Sequence, residues 1–298
     1  MRQRRVLAIH DISGFGRCSL TVALPVLSAA GIECSVLPTA VLSTHTGGFE
    51  HFTFRDLTED LMPMALHWAS LGLRFDAIYT GYLGSFEQIK LVREVIALLR
   101  TDDTLVVVDP VMGDAGQLYA GFSQDFPAQM RTLCADADLI VPNITEAELL
   151  LTAGSEGRTP PEISTDFDTV VPCQSLPRAL AAQLGVPAVV LTGVSLAPGD
   201  LGALSWEAGE QTESYFAASE VSGMYHGSGD VFSSALVAAL VEGLALVAAL
   251  RVAVHFTVAA IRRSHAAGTD TRYGVNFEAG LSDLRKLIER EQKTGDSY

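Results

Sequence analysis

Short apolar runs alternate with segments of helical spacing along most of this chain, and this alternation limits the possible folds more than any other feature. Arg5 to Ile9, Ser35 to Leu42, Ala77 to Thr80, Thr104 to Val108, Leu139 to Val141 and Ala188 to Leu191 read as strands. Between them, Ser19 to Ala30, Phe86 to Arg100, Glu146 to Thr152 and Leu176 to Leu184 read as helices. In Phe86 to Arg100, for example, Ile89, Val92, Val95, Ile96 and Leu99 fall on one face. Apolar strands that feed helices predict an α/β fold, a mostly parallel central sheet with helices on both faces in three α/β/α layers. Leu201 to Ala218 alternates polar and apolar residues, which suits an antiparallel hairpin at a sheet edge. Gly154 to Cys173 carries Pro160, Pro161 and Pro172 with no clear period, and is expected to be a surface segment with at most one helical turn. No internal repeat interrupts the pattern, so residues 1–298 are expected to form one domain.

Charge narrows the partners. A net charge of −15 disfavours nucleic acid and anionic membranes, which both need a positive footprint. It leaves room for phosphate held by backbone amides and a metal. The cysteines, Cys18, Cys34, Cys134 and Cys173, have neither CxxC pairing nor metal spacing, which suits reduced thiols in a cytoplasmic protein. Ala235 to Ile261 is apolar, but Glu242, Gly243, Arg251 and His255 break it below the roughly 18 uncharged residues of a membrane span. Two core helices joined at Glu242-Gly243 explain it better. Val6 to Ile9 is too short for a signal peptide.

In a parallel sheet, ligands bind at the carboxyl ends of the strands. Asp11 to Gly16, Thr44 to Phe49, Gly81 to Ser85, Asp109 to Asp114 and Pro142 to Glu146 each follow a predicted strand, so five polar or glycine-rich segments should converge on one cleft. The run His226-Gly227-Ser228-Gly229-Asp230 precedes a buried helical stretch, Val231 to Leu240. Glycines there free backbone N–H groups to face an anion, and the helix dipole favours negative charge. Asp230 then has two readings, a helix cap or a general base beside an anion cradle. Asn143 and Glu146 are spaced as a capping box and, with Asp109, also supply hard oxygen donors for Mg²⁺. A Rossmann dinucleotide site does not fit, because Gly14 and Gly16 lack a third glycine at Ser19.

Together, the His226 to Asp230 run, Asp109 to Asp114, Pro142 to Glu148, Gly81 to Ser85 and Ser43 to Gly48 resemble, in order, the pyridoxal kinase branch of the ribokinase-like superfamily. The match extends from Val6 to about Arg263. This resemblance implies an enzyme that uses ATP and Mg²⁺ to phosphorylate the 5′-hydroxymethyl group of pyridoxal, pyridoxamine or pyridoxine. It makes Asp230 the catalytic base, with Gly227, Ser228 and Gly229 as the anion hole. Asp109, Asn143 and Glu146 would lie near the metal and the ATP phosphates, with Asp109 and Glu146 as metal ligands. Asp114 would sit on a flexible loop, residues 112–122, that covers ATP, and Thr192 would contact the nucleotide. Asp11, Ser13, His45, Thr46, Gly47 and Tyr82 would surround the pyridine ring, alongside Asp230. His45 could equally be a satisfied structural histidine, and Phe15 and Phe49 could pack on the ring. The same resemblance implies a homodimer.

One departure keeps alternatives in view. Asp11-Ile12-Ser13-Gly14 resembles hydroxymethylpyrimidine kinases of thiamine synthesis, but those often carry Cys where this chain has Asp230. Asp11 could also favour a cationic amine or a protonated ring nitrogen. A non-catalytic B6-binding protein on the same fold is the third expectation.

Overall fold

The computed structural model describes residues 2–153 and 173–295. The expected surface segment from Gly154 lies outside them, apart from Cys173 at its end. The chain begins with β1 (Arg5–Ser13), α1 (Leu20–Ala29), β2 (Glu33–Leu42), β3 (Phe54–Asp56) and α2 (Thr58–Ser70). It continues through β4 (Ala77–Thr80), α3 (Phe86–Leu99), β5 (Leu105–Val108), a small hairpin of β6 (Gly113–Asp114) and β7 (Gln117–Leu118), and α4 (Phe126–Cys134). Next come β8 (Leu139–Ile140), α5 (Ile144–Ala153), α6 (Leu176–Leu184), β9 (Ala188–Val194), β10 (Asp200–Glu207) and β11 (Thr212–Ser219). Three helices end the chain: α7 (Ser228–Val241), α8 (Leu246–Ala267) and α9 (Leu281–Gly295).

Nine strands form one sheet in the order β11-β10-β9-β8-β5-β4-β1-β2-β3. Six strands from β9 to β2 pair in parallel, β3 pairs antiparallel with β2 at one edge, and at the other β10 pairs antiparallel with both β9 and β11. The period-2 geometry of the strands sends alternate side chains into two cores. Val6, Tyr79, Val107 and Val190 join the layer of α1, α7, α8 and α9. Leu7, Ile9, Ile78, Val106, Val108 and Leu191 join the layer of α2 to α6. With both faces covered, the strands need to be apolar throughout, which is why they read as continuous apolar runs. The three-layer α/β/α fold is therefore as expected, and so is the edge hairpin.

Two local differences matter for the cleft. β1 runs four residues beyond Ile9, so Asp11 and Ser13 belong to the strand and do not lie in a loop after it. The register with β2 slips just there, between the pairs His10–Pro38 and Ile12–Val41. Pro38 has no N–H to give the ladder, which suits an irregularity at that point. The apolar stretch near the C-terminus divides as expected. α7 stops at Val241, Gly243 turns with φ 90°, and α8 begins at Leu246. Among the described residues no helix is long and apolar enough to cross a membrane.

Candidate active site

A cavity of about 490 Å³ opens at the carboxyl ends of the parallel strands, within the usual size range for small-molecule sites. It collects residues from across the sequence, from Asp11 to Ile261. Asp11, Ser13, His45, Thr46, Gly47 and Tyr82 line one part of its wall; Asp109, Asp114, Asn143, Glu146 and Thr192 line another, and Gly227, Ser228, Gly229 and Asp230 complete it. The expected base, anion-hole, nucleotide, metal and ring residues thus line one cavity. Phe15 and Phe49 do not: they pack edge-on against each other, with ring centroids 6.1 Å apart, and neither lines the cavity.

The helix at the cradle begins earlier than the apolar pattern suggests. α7 starts at Ser228, and Gly227, in the left-handed conformation at φ 71°, takes the N-cap position. Asp230 is therefore the third residue of the helix and makes no side-chain cap bond. The first helical hydrogen bond runs from Val231 N–H to Gly227 O at 3.1 Å. Helix geometry consequently leaves the N–H groups of Ser228, Gly229 and Asp230 without intrahelical acceptors, at the positive end of the dipole. Ser228 Oγ is taken up by the Tyr225 carbonyl at 2.9 Å.

Asp230 is the electrostatic centre of the cavity. Burial raises its pKa to about 7, the backbone N–H of Ser19 draws it partly down, and Asp11 adds a further upward push. Asp109, in turn, is raised by burial and then by Asp230, against a hydrogen bond donated by Ser233 Oγ at 2.8 Å. Asp11 thus raises Asp230, and Asp230 in turn raises Asp109. Asp11 is itself buried, accepts from Ser13 Oγ at 2.9 Å, and is raised mainly by desolvation.

For Asn143 and Glu146 the capping-box geometry is realised in full. Asn143 Oδ1 accepts from Glu146 N–H at 2.9 Å, and Glu146 Oε2 accepts from Asn143 N–H at 2.9 Å. Glu146 Oε1 also accepts from Met112 N–H at 3.1 Å, and Asn143 Nδ2 donates to Gly113 O at 2.8 Å. These two side chains therefore pin the 109–114 segment onto the start of α5. Glu146 is 3% exposed. Desolvation and then Asp109 hold its carboxyl well above the ordinary range, while backbone N–H groups of Asn143, Met112 and Gly113 pull the other way.

Glu146→Ala should consequently act on stability as well as activity. It strands the N–H donors of Met112, Gly113 and part-buried Asn143, each worth up to about 1–3 kcal/mol when unsatisfied, and removes a cap worth about 1. Partial relaxation leaves an expected loss of about 2–4 kcal/mol in urea unfolding, with Glu146→Gln losing clearly less. Equal stability of the two variants would show that these bonds do not carry the segment.

Among the described residues no group of three or more His, Cys, Asp or Glu side chains could hold a metal alone. Asp109 and Glu146 are nonetheless two buried carboxylates, and Asp109 raises the proton affinity of Glu146. That donor set fits a divalent cation that keeps several waters and takes its remaining oxygens from phosphates.

His45 has both ring nitrogens engaged, as a structural histidine would. Nδ1 accepts from Gly47 N–H at 3.1 Å, so Nε2 carries the proton and faces the Arg272 carbonyl at 2.6 Å. Asp114 is exposed on the β6–β7 hairpin and accepts from Ala115 N–H at 2.7 Å. Thr192 joins β9 to residue 143 through an isolated bridge. The lining residues that went unassigned in the sequence include Cys18, Ser19, Tyr119 and Ser233. Ser233 could have been found from spacing, since it stands three residues after Asp230 on the same helix face. Ser19 and Tyr119 come close only through the fold.

The family described as Phosphomethylpyrimidine kinase matches residues 23–275. The pyridoxine/pyridoxal/pyridoxamine kinase of Bordetella avium is 30% identical over 86% of this chain and 84% of its own. The crystal structure of pyridoxal kinase from Lactobacillus plantarum superposes with a TM-score of 0.83 at 33% identity, covering 97% of this chain and 99% of the other. A Bacteroides thetaiotaomicron protein, described provisionally as a phosphomethylpyrimidine kinase and crystallised with pyridoxal, gives a TM-score of 0.85 at 36% identity, covering 95% and 96%.

Proposed function

The chain belongs to the phosphomethylpyrimidine kinase family and is a phosphotransferase, and we propose that its acceptor is the 5′-hydroxymethyl group of a vitamin B6 pyridine. One observation carries this reading: Asp230 lines the same cavity as Asp11 and Asp109, in the first turn of α7, with its pKa raised to about 7. A base of that pKa is matched to proton transfer near neutral pH. The relatives named as B6 kinases, and the bound pyridoxal in a 36% identical structure, support the acceptor.

On this reading Asp230 takes the proton of the acceptor hydroxyl as its oxygen forms a bond to the γ-phosphorus of ATP and the bond to the ADP oxygen breaks. The N–H groups of the 227–229 turn and the first helical turn hold the charge on the transferring oxygens. Asp109 and Glu146 would hold Mg²⁺, which neutralises phosphate charge when bound. Since three N–H groups already occupy Glu146, Asp109 is the more available ligand. Asn143, Thr192 and Asp114 would border the nucleotide, while Ser13, Thr46, Gly47 and Tyr82 would border the ring and His45 would hold their loop. The whole chain works as one kinase domain in this proposal, in the cytoplasm and as a homodimer. Its four unpaired cysteines suit a reducing compartment.

A pyrimidine alcohol is the second reading, because the family description names it. Steady-state turnover with ATP and Mg²⁺ on pyridoxal, pyridoxamine, pyridoxine and hydroxymethylpyrimidine separates the two. A 5′-phosphorylated pyridine should form with the highest kcat/KM. Product from the pyrimidine alone would overturn the B6 assignment, and no product from any alcohol would leave a binding protein.

A further inference from the structure

The two loops at the acceptor end of the cavity are not held by the core alone. Residues 14–17 follow β1 and residues 44–49 follow β2, and each loop carries a phenylalanine, Phe15 or Phe49, that does not line the cavity. They meet a 3-10 turn, Thr271–Tyr273, that comes after α8. Phe49 stacks on Tyr273 with an interplanar angle of 8° and centroids 6.3 Å apart. Phe15 meets the same ring edge-on at 5.0 Å and 74°. Both distances fall within the range in which aromatic pairs attract beyond simple area burial. The Arg272 guanidinium lies 5.8 Å above the Phe49 ring. His45 adds a polar link, reaching the Arg272 carbonyl at 2.6 Å, and Arg17 N–H donates to the Tyr273 carbonyl at 3.2 Å.

The turn is itself firmly placed. Asp270 accepts from Arg272 N–H at 3.0 Å and from its guanidinium at 2.6 Å. Just beyond it, Asn276 N–H donates to Ser264 Oγ of α8 at 2.7 Å, and Arg263 Nε donates to the Asn276 carbonyl at 2.8 Å. The 44–49 loop is therefore fastened through the turn to a long core helix. Neither Arg272 nor Tyr273 lines the cavity, whereas His45, Thr46 and Gly47 do.

We propose that Tyr273 is a positioning residue for the acceptor alcohol: with Arg272 it clasps the 44–49 loop in its binding shape, and so sets affinity for the acceptor but not for the nucleotide. The clasp follows from the contacts alone; the identity of the acceptor rests on the function proposed above. Loops with few anchors sample many shapes, and a ligand that needs one shape binds more weakly in proportion to its population. Removing the ring of Tyr273 removes both aromatic contacts, while Tyr273→Phe keeps them.

Two measurements on the full chain test this. Hydrogen–deuterium exchange without ligand should speed up across residues 44–49 in Tyr273→Ala and stay near wild type in Tyr273→Phe. In the kinase assay Tyr273→Ala should raise KM for pyridoxal about tenfold, with KM for ATP and kcat close to wild type. Arg272→Ala, which keeps the carbonyl that His45 uses, should move both readouts the same way by less. Unchanged exchange at 44–49 overturns the clasp, and KM values for pyridoxal and ATP that rise together overturn its role in acceptor affinity. If the wild-type enzyme prefers another alcohol, the exchange result stands and the KM comparison is made with that alcohol. A failed acceptor assignment is in this way distinct from a failed clasp.

Discussion

Asp230→Ala is expected to lower kcat by about 10²–10⁴-fold, the usual worth of a positioned general base, while KM for ATP stays nearly unchanged. The carboxyl belongs to the third residue of α7, and its backbone N–H is part of the helix start. Substitution of the side chain therefore leaves the N–H cradle in place and removes only the proton acceptor. The pH profile gives a second readout. With a pKa of about 7, the ionised form is lost as pH falls, so kcat/KM should drop on the acid side of neutrality in the wild type. The residual activity of Asp230→Ala should lack that acid limb. Turnover of that variant near the wild-type rate would remove Asp230 from the mechanism.

The same raised pKa has a cost in stability. Between the ordinary carboxylate range and about 7, the folded chain holds a proton at Asp230 that the unfolded chain releases. The group's contribution to folding is thus fully present at low pH and is lost as pH rises through its folded pKa. Asp230→Asn removes this charge and should raise Tm more at pH 8 than at pH 5. An enzyme that gains stability as it loses its base shows the usual conflict between a reactive site and a relaxed one.

Much of this site was legible because its residues stand at strand ends and at a helix start, where local pattern and position in the fold coincide. Ala77–Thr80 and Leu176–Leu184 appear with the bounds read from the sequence. Two of the helices that were missed are short or interrupted by proline. In α2 Pro63 interrupts the pattern, and α4 is short, with Pro127 near its start. α9 keeps Leu284 and Ile288 fully buried at i,i+4 spacing and was readable in principle. The capping-box reading of Asn143 and Glu146 and the site reading proved compatible, since one pair of side chains both caps α5 and faces the cavity. What no local pattern could show is Ser19 N–H at Asp230, or the turn at residue 273 packed on Phe15 and Phe49. Those contacts join segments whose separation in sequence carries no period.

Gly227→Ala should be nearly as damaging as loss of the base, for a different physical reason. Gly227 sits at φ 71°, where a side chain costs roughly 1–2 kcal/mol by itself. A Cβ there would lie 1.8 Å from the Arg17 carbonyl oxygen and 3.0 Å from its carbon. Both are backbone atoms, and Arg17 is tied in turn to Tyr273 by its own N–H. No side chain can swing aside to make room, so the N-cap of α7 or the 14–17 loop has to move. Either shift re-aims the N–H groups of the cradle. Loss of a single oxyanion donor typically costs about 10²–10³-fold in kcat, and a fall of that order is expected here. Gly229 provides the contrast: its φ is not positive, and an added Cβ meets nothing within 4 Å. Gly229→Ala should therefore keep its Tm, and any loss of rate there reports crowding of the bound phosphate, not a displaced helix. Near-wild-type kcat in Gly227→Ala would mean that the close approach to Arg17 is not what aims the cradle.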